Sequence, residues 1–426
     1  MTEEAAVGTS DEERSRNQAF GTGVVVDPYP VFHEMRAQCP VHAGALAGRF
    51  PGAPEHNALG ATPRDAMAAC SYDTVVTVLR DAEYFPSEHF YAGLSASIGR
   101  SLIGMDEPEH RRMRILVQAA FSKPAMERWR RDIIDPIVAE HLDHVAPLGA
   151  CDLQTTVGAT VPVHTIAAAL GLPASEFPRF FDLGVQMTNP VISHDERLAA
   201  ADALAAYVAP IVARRRSVPA DDLIGVLVEA RMPSDDDHAG LDDRPLSDEE
   251  IATFVRVLVV AGSATTYRAY GTLLFHLLRN PDQLAAVTAD PSLRPNAIEE
   301  AIRIDQPLAM LGHIAAGDVE VEGVLIPAGT RVDLSVGAAN HDPAVFDDPD
   351  RFDIYRDRLD RHVSFGFGVH RCLGIHLARV ELDVMLDQTL ARLSNLRLDP
   401  DAPEPFISGL GIRVVNQLPV LFDPQR

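Results

Sequence analysis

Hydrophobic periodicity sets in at Phe20, so residues 1–20, polar and acidic, are expected to form a disordered leader ahead of a single domain over 21–426. Texture is mixed up to about residue 105, with a Pro/Gly/Ala-rich loop over Gly48–Pro63. Over Pro108–Phe121, Met113, Leu116, Val117 and Ala120 fall on one stripe at helical spacing, and Ala125–His144 continues it. Residues 160–230 are alanine-rich and amphipathic, with breaks at Gly171-Leu-Pro173 and Ser217-Val-Pro219. This predicts two or three surface helices with mobile joints. The acidic, turn-rich stretch 231–250 ends in a capping-box pattern, Ser247-x-x-Glu250. That box opens a helix over Ile251–Leu278, apolar nearly all round and so predicted to run buried through the centre, until Asn280-Pro281 stops it. Helices follow over 282–289 and 295–304; residues 318–337 then alternate with Gly and Pro turns as a short hairpin. A Pro/Asp-rich loop (341–361) and a glycine-rich loop lead to a last long helix, Leu373 to about Leu393. The predicted architecture is mainly α with a small β region.

Composition narrows the function classes. In 426 residues, 46% hydrophobic, there is ample material for a large core. The net charge of −24 (61 acidic against 37 basic residues) argues against a polyanion partner such as nucleic acid and against an anionic membrane surface. Lys123 is the only lysine, so nearly all positive charge is arginine. Four scattered cysteines (Cys39, Cys70, Cys151, Cys372) form neither a disulfide framework nor a zinc set. With no apolar leader and no membrane span, a cytoplasmic protein is expected.

The densest chemistry lies in Phe365-Gly-Phe-Gly-Val-His-Arg-Cys372-Leu-Gly-Ile-His-Leu-Ala-Arg379. A glycine-permissive loop delivers one cysteine to a helix start, where free N–H groups and the helix dipole favour thiolate over thiol. Gly366 and Gly368 permit positive φ or close approach to a flat ligand, and Gly374 gives clearance just past the cysteine. This segment resembles the haem-binding loop of the cytochrome P450 family. The resemblance implies Cys372 as proximal ligand to the iron of a haem b, with Phe365, Gly366 and Gly374 around it. It also implies the P450 fold, with haem between the long central helix and the cysteine-bearing loop.

Three further motifs agree in order and spacing. Glu300-Ala-Ile-Arg303 alone reads as a surface ion pair at i, i+3; the resemblance makes Glu300 and Arg303 a buried structural pair bonded to the loop around Phe346–Phe352. Ala261-Gly262-Ser-Ala264-Thr265-Thr266 places small and hydroxyl residues mid-helix. Gly262 there suggests a packing or ligand reason, and the hydroxyls can bond back to the preceding turn. In the family this patch is the distal wall, and Thr265 takes the place of the threonine that holds water and delivers protons. In Asp106-Glu-Pro-Glu-His110-Arg-Arg-Met-Arg114, His110 and Arg114 share a helix face. The resemblance makes them haem-propionate partners, with His370 as a third. It covers roughly residues 25–425, and the closing segment ISGLGIRVVNQLPVLF resembles the family's final strand pair.

Two positions depart from the family pattern. Ala264 stands where an acid usually precedes the threonine, and no Asp or Glu lies between Ile251 and Leu278 to replace it from the same helix. Proton delivery is left to Thr265, ordered water or a polar group on the substrate, or peroxide serves as oxidant; Ala264 is either natural or introduced. His313 stands where soluble bacterial relatives usually carry an arginine toward a propionate, and histidine is shorter and often neutral.

The resemblance implies a monooxygenase that inserts one oxygen atom of dioxygen into a C–H bond of a hydrophobic small organic molecule, by hydroxylation or O-dealkylation. Electrons are expected from a soluble ferredoxin and its NAD(P)H-dependent reductase, and the protein is expected to be a monomer. Arg111, Arg112 and Arg371 are the expected docking residues, with Arg128, Arg130 and Arg131 nearby. Substrate contacts are expected from Phe90, Tyr91, Leu94, Leu258, Leu308, Leu311 and Leu410. A peroxide-driven peroxygenase or isomerase, or a non-catalytic haem sensor, are the alternative readings.

Overall fold

A computed structural model describes residues 25–51, 53, 65–188, 192–232 and 241–425. The expected leader (1–20), most of the Gly48–Pro63 loop and the middle of the acidic connector lie outside them. Helix α1 (Tyr29–Gln38) leads into strands β1 (Val41–Ala43) and β2 (Ala66–Ala69). Helices α2 (Tyr72–Arg80), α3 (Ser87–Ile98), α4 (Glu109–Gln118), α5 (Lys123–Trp129) and α6 (Asp135–Val145) come next, then β3 (Ala150–Asp152). Helices α7 (Val161–Ala169), α8 (Phe177–Thr188), α9 (His194–Ser217) and α10 (Leu223–Glu229) precede the central helix. That helix is α11 (Asp248–Leu258), a π-helical turn over Val259–Ser263, and α12 (Ala264–Arg279). Helices α13 (Pro281–Ala289) and α14 (Arg294–Ile304) are followed by β4 (Met310–Ile314), β5 (Val319–Val321), β6 (Val324–Ile326) and β7 (Arg331–Ser335). After α15 (Val336–Asn340) and α16 (Ile375–Arg392) come β8 (Arg397–Leu398), β9 (Ile407–Ser408), β10 (Val414–Val415) and β11 (Pro419–Leu421).

Local chemistry explains the main boundaries. The Ser247 hydroxyl accepts from the Glu250 amide at 3.1 Å and the Glu250 carboxylate accepts from the Ser247 amide at 2.7 Å, a complete capping box at the central helix. Every residue from Ile251 to Val259 is buried. At α9, Ser193 and Glu196 form a second capping box. Glu322 and Gly323 both take positive φ (51° and 76°), the two-residue turn that matches the twist of the β5–β6 hairpin. Strand β7, expected within that hairpin region, instead pairs antiparallel with β4 and parallel with β2, giving the sheet order β1-β2-β7-β4. Strands β9 and β10 pair antiparallel, and β11 joins β3 and β8.

Two elements depart from expectation. The 160–230 stretch is not all surface: Val161, Val163, Thr165, Ile166, Ala167 and Ala169 of α7 are buried, because this helix packs on the π turn of the central helix. The π turn is the other, and its hydroxyl-to-carbonyl bonds bear directly on the candidate site.

The candidate active site

One face of the site is the loop before α16. Gly366 and Gly368 take φ of 70° and 69°, a conformation that a side chain would strain, and a Cβ on Gly368 would lie 2.6 Å from the Leu79 carbonyl. This bend lets the Cys372 amide donate to the Phe365 carbonyl at 2.8 Å. Cys372 stands three residues before α16, and the Gly374 amide points to its sulfur. Burial among protein atoms pushes the thiol pKa up; the Gly374 N–H and the charges of Arg114, Arg371 and Arg379 pull the other way. Yet its side chain is exposed, alone among the cysteines. A sulfur both exposed and desolvated faces a cleft inside the fold.

The loop is tied from behind. Arg379 bonds both oxygens of Glu299, at 2.7 and 2.6 Å, and lies over the Phe365 ring at 5.3 Å; His362 contacts the same carboxylate at 3.0 Å. These partners hold Glu299 at a pKa of about 2, even though burial acts to raise it. Arg303 is wholly buried beside an equally buried Glu300, and also donates to the carbonyls of Asn340 and Pro349 at 2.8 Å each. Glu300 accepts from the Asp353 amide at 3.0 Å and from Arg356 at 3.1 Å. Read alone, this pair looked like a surface feature; here it is the pin between α14 and the 341–361 loop.

The other face is the central helix. After the sealed run that ends at Val259 the helix opens: Ala261 is exposed, and Val260, Gly262, Ala264 and Thr265 are half-buried. The Thr265 hydroxyl donates to the Ala261 carbonyl at 2.6 Å, the Thr266 hydroxyl to the Gly262 carbonyl at 3.1 Å, and an Arg268 N–H to the Ala264 carbonyl at 2.6 Å. Side chains have taken carbonyls that an unbroken α-ladder would use. A Cβ on Gly262 would press on Ile166 of α7 at 3.3 Å, so this glycine serves helix packing.

A third group closes one side. The rings of His110 (α4) and His370 lie 4.1 Å apart between centroids, and His370 reaches Asp106 at 3.8 Å. Asp106 in turn accepts from the amides of Ser87 and Glu88 at the start of α3. His313 on β4 is buried in the same neighbourhood. Burial, then repulsion from His370, lowers both His110 and His313 to about 4. Arg114 is lowered too, chiefly by burial, with Cys372 acting against it. The Nδ1 atoms of His110 and His313 and Nε2 of His370 are buried without a hydrogen-bond partner. Such orphaned nitrogens, with Arg114, suit an anionic group at the edge of a ligand whose centre meets Cys372. The residues fit a haem.

Other expectations separate. Phe90 is 1% exposed and fills the space against Gly312, and Leu410 is 4% exposed in a core cluster with Phe32 and Leu46, so both are corrected from substrate contacts to core. Leu258 is nearly buried under Gly262. Tyr91, Leu94, Leu308 and Leu311 keep part of their surface open. Arg112 is corrected as well: buried, it donates to Glu250 and to the carbonyls of Asp242 and Arg244, each at 2.9 Å, and is closed to any partner protein. Arg111 and Arg371 are exposed, as is Val369 beside the latter. The sequence reading missed Glu381, a fully buried carboxyl of α16 whose pKa burial raises to about 8. Its signal was an acid at helical spacing from Leu377, Val384 and Met385, on the apolar face of α16.

A mainly helical fold, with an exposed cysteine on a glycine-bent loop and a hydroxyl-bonded π turn in its central helix, points to a haem-thiolate class of enzyme. The family model for Cytochrome P450 matches residues 292–419. The chain is 33% identical to nocardicin C N-oxygenase of Nocardia uniformis subsp. tsuyamanensis, over 95% of this chain and 98% of that one. It is 36% identical to 6-deoxyerythronolide B hydroxylase of Saccharopolyspora erythraea, over 75% and 77% of the two chains. Among solved structures, CYP109E1 from Bacillus megaterium in complex with testosterone superposes with a TM-score of 0.79 at 29% identity, covering 93% of this chain and 99% of that one. The chain belongs to the cytochrome P450 family, and it is a haem-thiolate monooxygenase.

Proposed function

We propose that Cys372 is the haem ligand, with His110, Arg114, His313 and His370 at the propionates, and that the enzyme oxidises a C–H bond of a hydrophobic organic molecule. The observation that carries this is the exposed Cys372 side chain with the Arg114 guanidinium acting on it, beside a histidine cluster in which the His110 and His370 rings lie 4.1 Å apart. When bound, the haem supplies the redox chemistry that activates dioxygen. The protein's part is to position and to sort charge. Gly374 and the nearby arginines favour the thiolate; neutral His110 and His313 donate without adding two full charges to a buried site. Thr265, half-open and with its hydroxyl on the Ala261 carbonyl within the opened turn, is the group for holding water.

Relatives support an apolar substrate. They include a steroid C26-monooxygenase of Mycobacterium tuberculosis, 33% identical over 85% of this chain and 96% of that one, and the testosterone-bound structure above. Tyr91 gives the pocket one polar handle: its phenol, pushed up to about 12 by burial alone, stays a neutral donor for a substrate carbonyl or hydroxyl. Electrons come from a soluble ferredoxin and its NAD(P)H-dependent reductase, docking beside Arg111 and Arg371, and the enzyme acts in the cytoplasm as a monomer. No helix among the described residues is long and apolar enough to cross a membrane. A spectral screen of steroids, macrolactones and fatty acids for water displacement from the ferric iron tests the substrate class; a hit only among small charged compounds would contradict it. Ala264 favours one second reading, a peroxide-driven oxygenase, which turnover with peroxide alone would reveal.

A further inference from the structure

A cleft outside the candidate site holds a cation that the fold leaves unpaired. It opens between the turn joining α7 to α8, the start of α8 and the second half of α9, with a volume of about 570 Å³, the size of a small-ligand pocket. Tyr207, Pro210, Ile211 and Arg214 of α9 line it and share an arc of about 100° around the helix, an apolar strip that ends in a guanidinium. Pro210 has no N–H for the Ala206 carbonyl one turn earlier, which leaves that carbonyl without its helical donor in the same lining. None of the lining residues belongs to the Cys372 loop, the histidine cluster or the π turn.

Helix α9 ends on three consecutive arginines with different fates. Arg215 donates to Asp222 at 2.7 Å, and Asp222 also caps α10. Arg216 donates to Asp248 at 2.6 Å and to the Leu246 carbonyl at 2.7 Å. Arg214 lines the cleft, and its side chain has no ion pair or hydrogen bond among the described residues. Arg179 of α8 lines it as well, its guanidinium 5.0 Å from the centre of the Tyr207 ring. The one acid in the lining, Glu176, accepts from the Tyr207 hydroxyl at 3.2 Å. The helix dipole accounts for basic residues in a last turn, but not for an apolar strip leading to the unpaired one.

We propose that this cleft binds an amphiphilic organic carboxylate and is an effector site separate from the haem cleft. The carboxylate meets the planar forks of Arg214 and Arg179, and the apolar body lies along Tyr207, Pro210 and Ile211. In a chain of net charge −24, two guanidiniums free of acids select for an anion, and the strip selects for one with an apolar body. Both flanking helices touch the central helix. A Cβ on Gly184 of α8 would lie 2.6 Å from Val259 in the π turn, and the Ala201 carbonyl of α9 accepts from Arg256 of α11 at 3.1 Å. A ligand seated between α8 and α9 therefore acts on the helix that walls the candidate active site.

The test uses the full haem-loaded chain, 2-naphthoate as probe, uncharged 2-naphthamide as control, and clotrimazole, a bulky azole, to fill the haem cleft. Calorimetric titration should show 2-naphthoate binding with clotrimazole in place, and binding should weaken as salt rises. 2-Naphthamide should bind at least about 10-fold more weakly, as should 2-naphthoate to Arg214→Glu. Ala206→Trp, which keeps both arginines but fills the cleft, should abolish binding; thermal melts show whether each variant is folded. Complete displacement of 2-naphthoate by clotrimazole, equal affinity for acid and amide, or unchanged affinity in both folded variants would overturn the proposal. Reciprocally, saturating 2-naphthoate should change the spectral dissociation constant of clotrimazole by about 3-fold or more in wild type and not in Arg214→Glu. An azole affinity indifferent to 2-naphthoate would overturn the effector role.

Discussion

Arg303 and Glu300 form a two-point ion pair on one turn of α14, with N–O distances of 2.7 and 2.9 Å and no exposed surface on either side chain. Isolated, such a pair would cost more in desolvation than it returns. Here the remaining donors and acceptors are filled by the Asn340 carbonyl at the end of α15, by backbone from the 341–361 loop and by the Arg356 side chain. The pair therefore ties the loop that leads to Cys372 to the helix beneath it.

Removing one partner strands a buried charge. Arg303→Ala or Glu300→Ala should destabilise the fold by about 3–5 kcal/mol and give protein that retains little haem. Denaturant unfolding and the haem-to-protein absorbance ratio measure both effects. A loss below about 1 kcal/mol would mean that the loop holds itself.

Docking separates two neighbouring arginines. Charge reversal of Arg111 and Arg371 should raise the ferredoxin concentration needed for half-maximal reduction and flatten its salt dependence. Arg112→Glu should instead lower stability, since it places a carboxylate against Glu250. Stopped-flow reduction at several ionic strengths, beside thermal melts, distinguishes the two classes.

The histidine cluster gives the haem-free chain a pH signature. With His110 and His313 lowered to about 4 against an ordinary 6.5, the unfolded chain binds more protons than the folded one in between. Their contribution to stability is present above pH 6.5 and is lost as pH falls to about 4. His110→Asn combined with His313→Asn should flatten that part of the stability curve, read by urea unfolding at stepped pH.

Glu381 has the opposite sign. Its folded-state pKa of about 8 lies above the ordinary 4.5, so its contribution is full below pH 4.5 and fades as pH rises through 8. Glu381→Gln, which cannot ionise, should therefore melt higher than wild type at pH 8 by more than at pH 5. A difference independent of pH would place the carboxylate in a solvated site.

Much of this was legible in the residues. The Ser247–Glu250 box, the all-apolar run after it and the Gly366/Gly368 loop are local signals, and local chemistry built them. The π turn was not legible as such, because a one-residue shift of the hydrogen-bond ladder leaves no compositional trace; only the back-bonding of Thr265 and Thr266 was suggested. Alanine-rich α7 read as surface because alanine marks neither inside nor outside, and its packing on the π turn decides it. Arg112 sits two residues from both His110 and Arg114, about 200° round the helix, so the run Arg111-Arg112 looked like one basic face but spans two environments. The full burial of Glu381, on a helix more than a hundred residues after Thr266, is a tertiary fact that spacing within one helix could not carry.

The central claim is that Cys372 ligates the haem iron as a thiolate, and one spectrum tests it most directly. The purified, haem-loaded, dithionite-reduced protein under carbon monoxide should show the red-shifted Soret band of a thiolate-ligated haem, and Cys372→Ser should lose it. A wild-type band at the position of a neutral-ligand haem, in protein that still melts cooperatively, would contradict the account.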